Sequence, residues 1–155
     1  KREKAQNRFF CALAFRLLAE RAGRPYFPRM TNSSHTMIYR VLGSDEWAEA
    51  LATGHYAGAP HDIADGFIHF STIDTLAETL ALHYPKRGGL RLLHVPVAAV
   101  DDKLKWEPAR GGTLFPHLYD QLSVEHVARV DDLKLDDNEV HILPEDLRPD
   151  HMRRG

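Results

Sequence analysis

Cysteine is nearly missing from this chain. Cys11 stands alone among 155 residues, which excludes an internal disulfide framework and any zinc site built on clustered thiolates. A charge excess is missing as well: 20 Lys and Arg face 22 Asp and Glu, a net charge of −2. Nothing in that balance draws the chain to nucleic acid or to an anionic membrane surface, so neither is expected as a partner. No apolar run approaches the roughly 18 residues that cross a bilayer. Internal repeats and low-complexity tracts are also lacking. What is left has 43% hydrophobic and 27% charged residues, the balance of an ordinary globular protein long enough to bury a core without staples. A cytoplasmic location is the expectation.

The first 36 residues differ from the rest. Residues 1–22 begin basic and turn apolar between Phe9 and Leu18, but Arg16, Glu20 and Arg21 break the pattern of a secretion signal. An amphipathic helix ending near Gly23 is the better expectation, followed by the linker "GRPYFPRMTNSSHT". The domain reading is an extension over 1–36, partly helical or disordered, a single domain over 37–147, and a disordered tail over 148–155.

From Met37 the periodicities sharpen. "MIYRVL" (37–42) predicts a strand, and Ser44 is the expected N-cap of a helix through about Ala52, stopped by Gly54, with Trp47, Ala50 and Leu51 on one face. "HYAGAPHDIADG" (55–66) reads as a loop. "FIHF" (67–70) predicts a strand, and Ser71 with Asp74 fits the capping pattern of a helix over 73–83 that Pro85 ends. Further strands are expected over 90–97, 103–107, 115–119, 127–133 and 140–143, with a helical turn at 123–126. Few helices and many strands, clustered after residue 85, make an α+β fold with small antiparallel or mixed sheets.

Ten histidines invite a metal, but H-E-x-x-H, H-x-H and a cysteine partner are all missing, and the dipeptide His61–Asp62 is uninformative by itself; no metal is expected. His69 stands out because it interrupts a core-like strand just ahead of a helix start. Alternation puts Phe67 and His69 on one face and Ile68 and Phe70 on the other. If the second pair packs, His69 faces a groove beside a helix N-terminus, where Ser71 and Thr72 add hydroxyls suited to an anion. The competing reading makes His69 a structural imidazole and Ser71 a plain cap. A second concentration lies in "KWEPARGGTLFPHLYDQL" (105–122): Trp106, Glu107, Arg110, His117 and Tyr119 in a short span, with Pro116 restraining the backbone at His117. The competing reading there is a surface loop folded back on the core.

Taken in order, "MIYRVL", "DGFIHFST", "LLHVPV", "LKWEPARGG", "LFPHLY" and "VEHVARV" resemble the mainly bacterial family called domain of unknown function 952, over residues 37 to about 133. That family is similar in turn to the ADP-ribosyltransferase fold, a split and bent pair of small sheets gripping NAD. The resemblance implies such a fold, NAD or a related nucleotide as the cofactor, and Tyr39 and Arg40 on the first strand as ligand contacts, with His69 where one transferase branch has Tyr. The catalytic Glu of those transferases has no evident counterpart; His117 occupies roughly its region. The resulting expectation is a cleft for a small-molecule, nucleotide-like or phosphorylated ligand. His69, His117 and Glu107 are its candidate catalytic residues, and Tyr39, Arg40, Ser71, Thr72, Arg110 and Tyr119 its candidate binding residues. Two functions fit: an ADP-ribosyl- or phosphoryl-transferase-like enzyme, transferase or hydrolase, or a non-enzymatic binding module on a degenerate transferase fold.

Overall fold

The computed structural model describes residues 35–109 and 112–148. The expectations for the N-terminal helix and linker, for Arg110 and for the tail after Arg148 lie outside those residues. Strand β1 (Met37–Gly43) leads into helix α1 (Ser44–Thr53), the two-residue strand β2 (His55–Tyr56), helix α2 (Pro60–Asp65), strand β3 (Ile68–His69) and helix α3 (Ile73–His83). Then follow β4 (Leu90–Pro96), the single turn α4 (Val97–Val100), β5 (Leu104–Pro108), β6 (Leu114–Leu118), β7 (Leu122–Ser123), β8 (Arg129–Leu135) and β9 (His141–Ile142).

The strands form three small antiparallel sheets, ordered β1-β4-β8-β9, β2-β7 and β3-β6-β5. With the four short helices this is an α+β architecture. Every strand pairing among the described residues is antiparallel, the first of the two alternatives that the sequence left open. Tyr39 and Ser71 exchange backbone hydrogen bonds of 2.8 Å, stitching the edge strand β1 to the chain just after β3. That contact brings the three-stranded sheet alongside the four-stranded one.

β1 and β4 carry apolar residues on both faces, which explains their nearly continuous hydrophobic runs. Ile38, Leu42, Leu93 and Val95 pack into one core with Ile68, Phe70, Leu118 and Leu122. Tyr39, Val41, Leu90 and Leu92 face the other way, into a second core closed by Leu76 and Leu80 of α3. Arg40 is the polar exception on the first face.

Several local expectations are corrected. The stretch 55–66 is ordered as β2 and α2 and not as a loop, because β2 finds a partner in β7, which the sequence reading did not anticipate. Helix α1 is capped from Gly43, whose N–H donates to the Glu46 carboxylate at 2.7 Å, and Ser44 is already helical. Helix α3 does span 73–83, but its cap is Thr72, whose backbone N–H donates to the Thr75 hydroxyl at 3.0 Å; Ser71 and Asp74 do not cap it. Leu51 points to solvent although Ala50 is buried. The strand expected over 90–97 ends at Pro96, where α4 begins.

Candidate functional site

The site grows from one buried carboxylate. Pro60 opens α2 at a position where a missing N–H costs nothing, and Gly66 closes it in the left-handed conformation (φ 84°). Within that short helix Asp62 is 1% exposed. Its Oδ2 accepts from Ala59 N (2.7 Å) and Arg40 Nη2 (2.5 Å), and its Oδ1 accepts from His69 N (3.1 Å), His69 Nδ1 (2.7 Å) and Arg40 Nη1 (3.3 Å). Burial alone would raise this acid, but the hydrogen bonds from His69 and the Arg40 guanidinium outweigh it and bring the carboxyl down to about 2. Gly58 passes so close that a Cβ there would lie 2.8 Å from Asp62 Cβ, and its φ is +102°, so glycine is required on both counts.

Arg40 is 5% exposed. Beyond Asp62 it donates to the His69 carbonyl (2.9 Å) and to the Tyr56 hydroxyl (2.9 Å). Burial, only partly countered by Arg40, pushes the Tyr56 phenol up to about 12, so it stays a neutral acceptor here. The expected phosphate-binding arginine is instead a buried fastener joining β1, β2, α2 and β3.

His69 and His117 sit directly opposite one another in the β3–β6 register, with ring centroids 5.1 Å apart and planes at 71°. Alternation on β3 sends Ile68 and Phe70 into the core, each 2% exposed, which turns His69 to the opposite side. His117 Nδ1 meets Glu107 Oε2 at 2.8 Å, and the Tyr119 hydroxyl donates to the same oxygen at 2.9 Å. Both imidazoles are therefore held by a carboxylate at Nδ1, which assigns the N–H to that nitrogen and leaves Nε2 on the far edge of each ring. Asp65 Oδ2 lies 3.5 Å from His69 Nε2. Burial pushes His117 below the usual imidazole range, the Glu107 hydrogen bond offsetting part of the effect. Phe67 is the common wall, stacked on His117 at 4.3 Å and lying 4.7 Å from His69 and 5.1 Å from Tyr119. Lys105 Nζ sits 3.9 Å over the Tyr119 ring.

The structure thus brings together His69, His117, Glu107 and Tyr119, with Arg40 behind them. Of the remaining candidates, those within the described residues lie elsewhere. Tyr39 faces the second core, edge-on to His94. Ser71 and Thr72 are buried, and their hydroxyls turn to Thr79 (2.9 Å) and Thr75 (3.3 Å), so they offer no anion cradle in the groove. Trp106 packs against the first core. The sequence reading singled out neither Asp65 nor Tyr56, set Asp62 aside with the His61–Asp62 dipeptide, and placed Phe67 beside His69 without giving it a role; the Pro60…Gly66 spacing was the signal for the helix that carries Asp62 and Asp65. Atoms of His61, Asp62 and His69 lie within 4.8 Å of one another, near enough to share an ion. Arg40 already occupies the cationic place beside both Asp62 oxygens, however, and the cluster reads as a hydrogen-bonded network. No helix among the described residues is long and apolar enough to cross a membrane.

Comparison with known proteins agrees with the motif reading. The family described as protein of unknown function DUF952 matches residues 41–130. Among solved structures, the crystal structure of protein CC0527 from Caulobacter crescentus is 43% identical, with 72% of this chain and 98% of that one covered and a TM-score of 0.69. The solution NMR structure of the same Caulobacter protein is 44% identical, covering 68% and 90%, with a TM-score of 0.62. No curated protein matches the chain.

Proposed function

Because the chain belongs to the DUF952 family, a name that assigns no reaction, we propose a function from the groove itself. The protein is a transferase or hydrolase in which His69 and His117 form a general acid–base pair acting on a nucleotide-like or phosphorylated ligand. The observation that supports this is the shared Nδ1 anchoring of two facing imidazoles at 2.7 and 2.8 Å. A ring so held cannot spin, keeps one tautomer and presents Nε2 at a defined place, which is what proton transfer in a transition state requires.

In the step this supports, one imidazole takes a proton from water or an acceptor hydroxyl. The electron pair of that oxygen forms the new bond to phosphorus or to an anomeric carbon. The bond to the leaving group breaks: a leaving oxygen collects a proton from the other ring, whereas a pyridinium nitrogen, as in NAD, keeps the electron pair and departs as the neutral base. Phe67 and Tyr119 offer faces for a base or pyridine ring. Positive charge for a phosphate falls to Lys105, since Arg40 is committed to Asp62. Likeness to the ADP-ribosyltransferase fold, with NAD as the ligand, is the finer form of this proposal. A binding module without chemistry is the second reading, favoured by the missing counterpart of the transferase glutamate.

A panel of NAD, ADP-ribose and mononucleotides separates these readings, with thermal shift reporting binding and mass spectrometry reporting turnover. The enzyme reading expects a ligand that stabilises the wild type and is converted, with turnover lost in His69→Ala and in His117→Ala. Binding without conversion supports the module. Two variants that keep the wild-type response to every member of the panel remove the groove from consideration.

A further inference from the structure

The three-stranded sheet carries the groove on one face, and its register aligns more than the two imidazoles. His117, on the central strand β6, pairs with His69 of β3 on one side and with Lys105 of β5 on the other. Residues paired directly across strands point to the same face, so His69, His117 and Lys105 form one row across the sheet. The neighbouring row, Ile68, Leu118 and Leu104, belongs to the core on the reverse face. Lys105 Nζ lies 3.9 Å over the Tyr119 ring, whose hydroxyl is fixed on Glu107, and this keeps the ammonium beside the groove. The ends of the row differ in charge: Lys105 flanks His117, whereas Asp65 of α2 stands by His69, its Oδ2 3.5 Å from Nε2.

Given the acid–base reading above, on which this rests, we infer that the substrate is a small nucleoside phosphodiester with an alcohol leaving group, and that Lys105 neutralises its phosphate. The leaving group decides first. A pyridinium departs as a neutral base and asks nothing of an acid, so one of the two anchored rings would be idle in cleavage of NAD at the anomeric carbon. An alkoxide needs a proton as it leaves, and a pair of anchored imidazoles supplies both a base and an acid. Charge points the same way. Displacement at an anomeric carbon builds positive charge, which carboxylates stabilise; here Asp62 and Glu107 are turned to the imidazoles, and Lys105 would oppose that charge. A phosphorus centre carries negative oxygens, which a lysine stabilises. The row supplies one cation, matched to the single charge of a diester and not to the near-double charge of a monoester. The net charge of −2 gives no general attraction for a long polyanion, which favours a small diester over a polymer.

In the step, one ring takes the proton of the attacking oxygen, from water or from a neighbouring ribose hydroxyl. That oxygen's electron pair forms the new bond to phosphorus. The bond from phosphorus to the leaving oxygen breaks, its electron pair stays on that oxygen, and the other ring protonates it. Water yields a phosphomonoester and an alcohol; a ribose hydroxyl yields a cyclic phosphate and an alcohol. Exchange with solvent then returns both rings to their starting states.

The test incubates the full chain with uridylyl-adenosine, with the ribose-cyclic phosphate of adenosine and with NAD, and reads products by mass spectrometry. Cleavage of a diester is expected, with turnover at least about 100-fold lower in His69→Ala and in His117→Ala. Lys105→Met should lower kcat/KM about 10- to 100-fold, the worth of a hydrogen bond to a charged group, and Lys105→Arg should retain most of it. On a nitrophenyl diester of uridine, whose leaving oxygen needs no proton, one of the two histidine variants should regain turnover and the other should not. Nicotinamide released from NAD while both diesters stay intact would overturn the inference and leave the acid–base reading standing. Equal loss in both histidine variants on the nitrophenyl ester would overturn the leaving-group assignment, and a Lys105→Met variant as active as wild type would overturn the role of Lys105. If no probe is turned over, or if turnover survives in both histidine variants, the acid–base reading itself fails and this inference falls with it.

Discussion

Among the described residues a third imidazole is hydrogen-bonded to a carboxylate, and this couple differs from the two in the groove. His94 on β4 bonds Asp131 of β8 through Nε2 at 2.7 Å. It is 4% exposed, the Tyr39 ring stands edge-on against it at 5.1 Å, and Arg129 ties Asp131 to Asp146. His94 is thus bound at the nitrogen that the groove histidines keep on their far edge, and it is closed in by its neighbours. The groove couples are anchored at Nδ1, and the His69 side chain is 35% exposed, although that of His117, at 11%, lies nearly as deep as that of His94, at 6%. Identical residue types make a brace in one place and a candidate site in the other, and the variable that separates them is which nitrogen is anchored.

The largest expected effect lies at the hub of the groove. Asp62→Ala leaves the Arg40 guanidinium buried without its carboxylate and should cost about 3–5 kcal/mol in chemical denaturation. Asp131→Ala, on a carboxylate that is 23% exposed, should cost about 1–2 kcal/mol; equal losses would erase the distinction between hub and brace. Gly58→Ala comes next, at about 1–3 kcal/mol, because φ +102° and the Asp62 contact oppose a side chain together.

Acid titration of stability sharpens the contrast. Asp62 is held below its ordinary value, at about 2, so its contribution is complete above pH 3.8 and disappears as pH falls towards about 2. That contribution is roughly 2 kcal/mol, and Asp62→Asn should abolish this part of the curve. His94 and His117 are both lowered by burial. Their neutral forms favour the fold above about pH 6.5, and stability declines as pH drops through their folded values. His94→Gln should flatten that slope without touching ligand binding, whereas His117→Gln should flatten it and abolish binding of any panel ligand. The smallest effect is Tyr119→Phe, which removes a hydrogen bond at the surface and should shift stability by less than about 1 kcal/mol.

Much of the local structure was legible in the chain. Alternation in "FIHF" aimed His69 away from the core, Gly54 and Pro85 bounded two helices, and the strand runs after residue 85 were visible as apolar stretches. The stretch 55–66 was not legible. Two glycines, a proline and three alanines there read as loop, although Pro60 and Gly66 stand at the first helical position and just past the last. The two-residue strand before that helix is defined wholly by its partner, Leu122–Ser123, 66 residues further on. Ser71 and Thr72 misled because a hydroxyl beside a helix start looks the same in sequence whether it faces solvent or its own helix.

By itself, then, the sequence determined which residues alternate, roughly where two of the helices run, and that two segments each carry an imidazole among chemically able neighbours. These are properties of near neighbours, set by backbone sterics, hydrogen bonding and side-chain period. Only the tertiary structure decided that His69 lies opposite His117 and that Arg40 turns inward to Asp62 instead of outward to a phosphate. It also decided that Asp62, unremarkable in its loop-like context, anchors the site. Such pairings join residues tens of positions apart, and their register follows from how both strands bury their apolar faces in a common core, which no local pattern encodes.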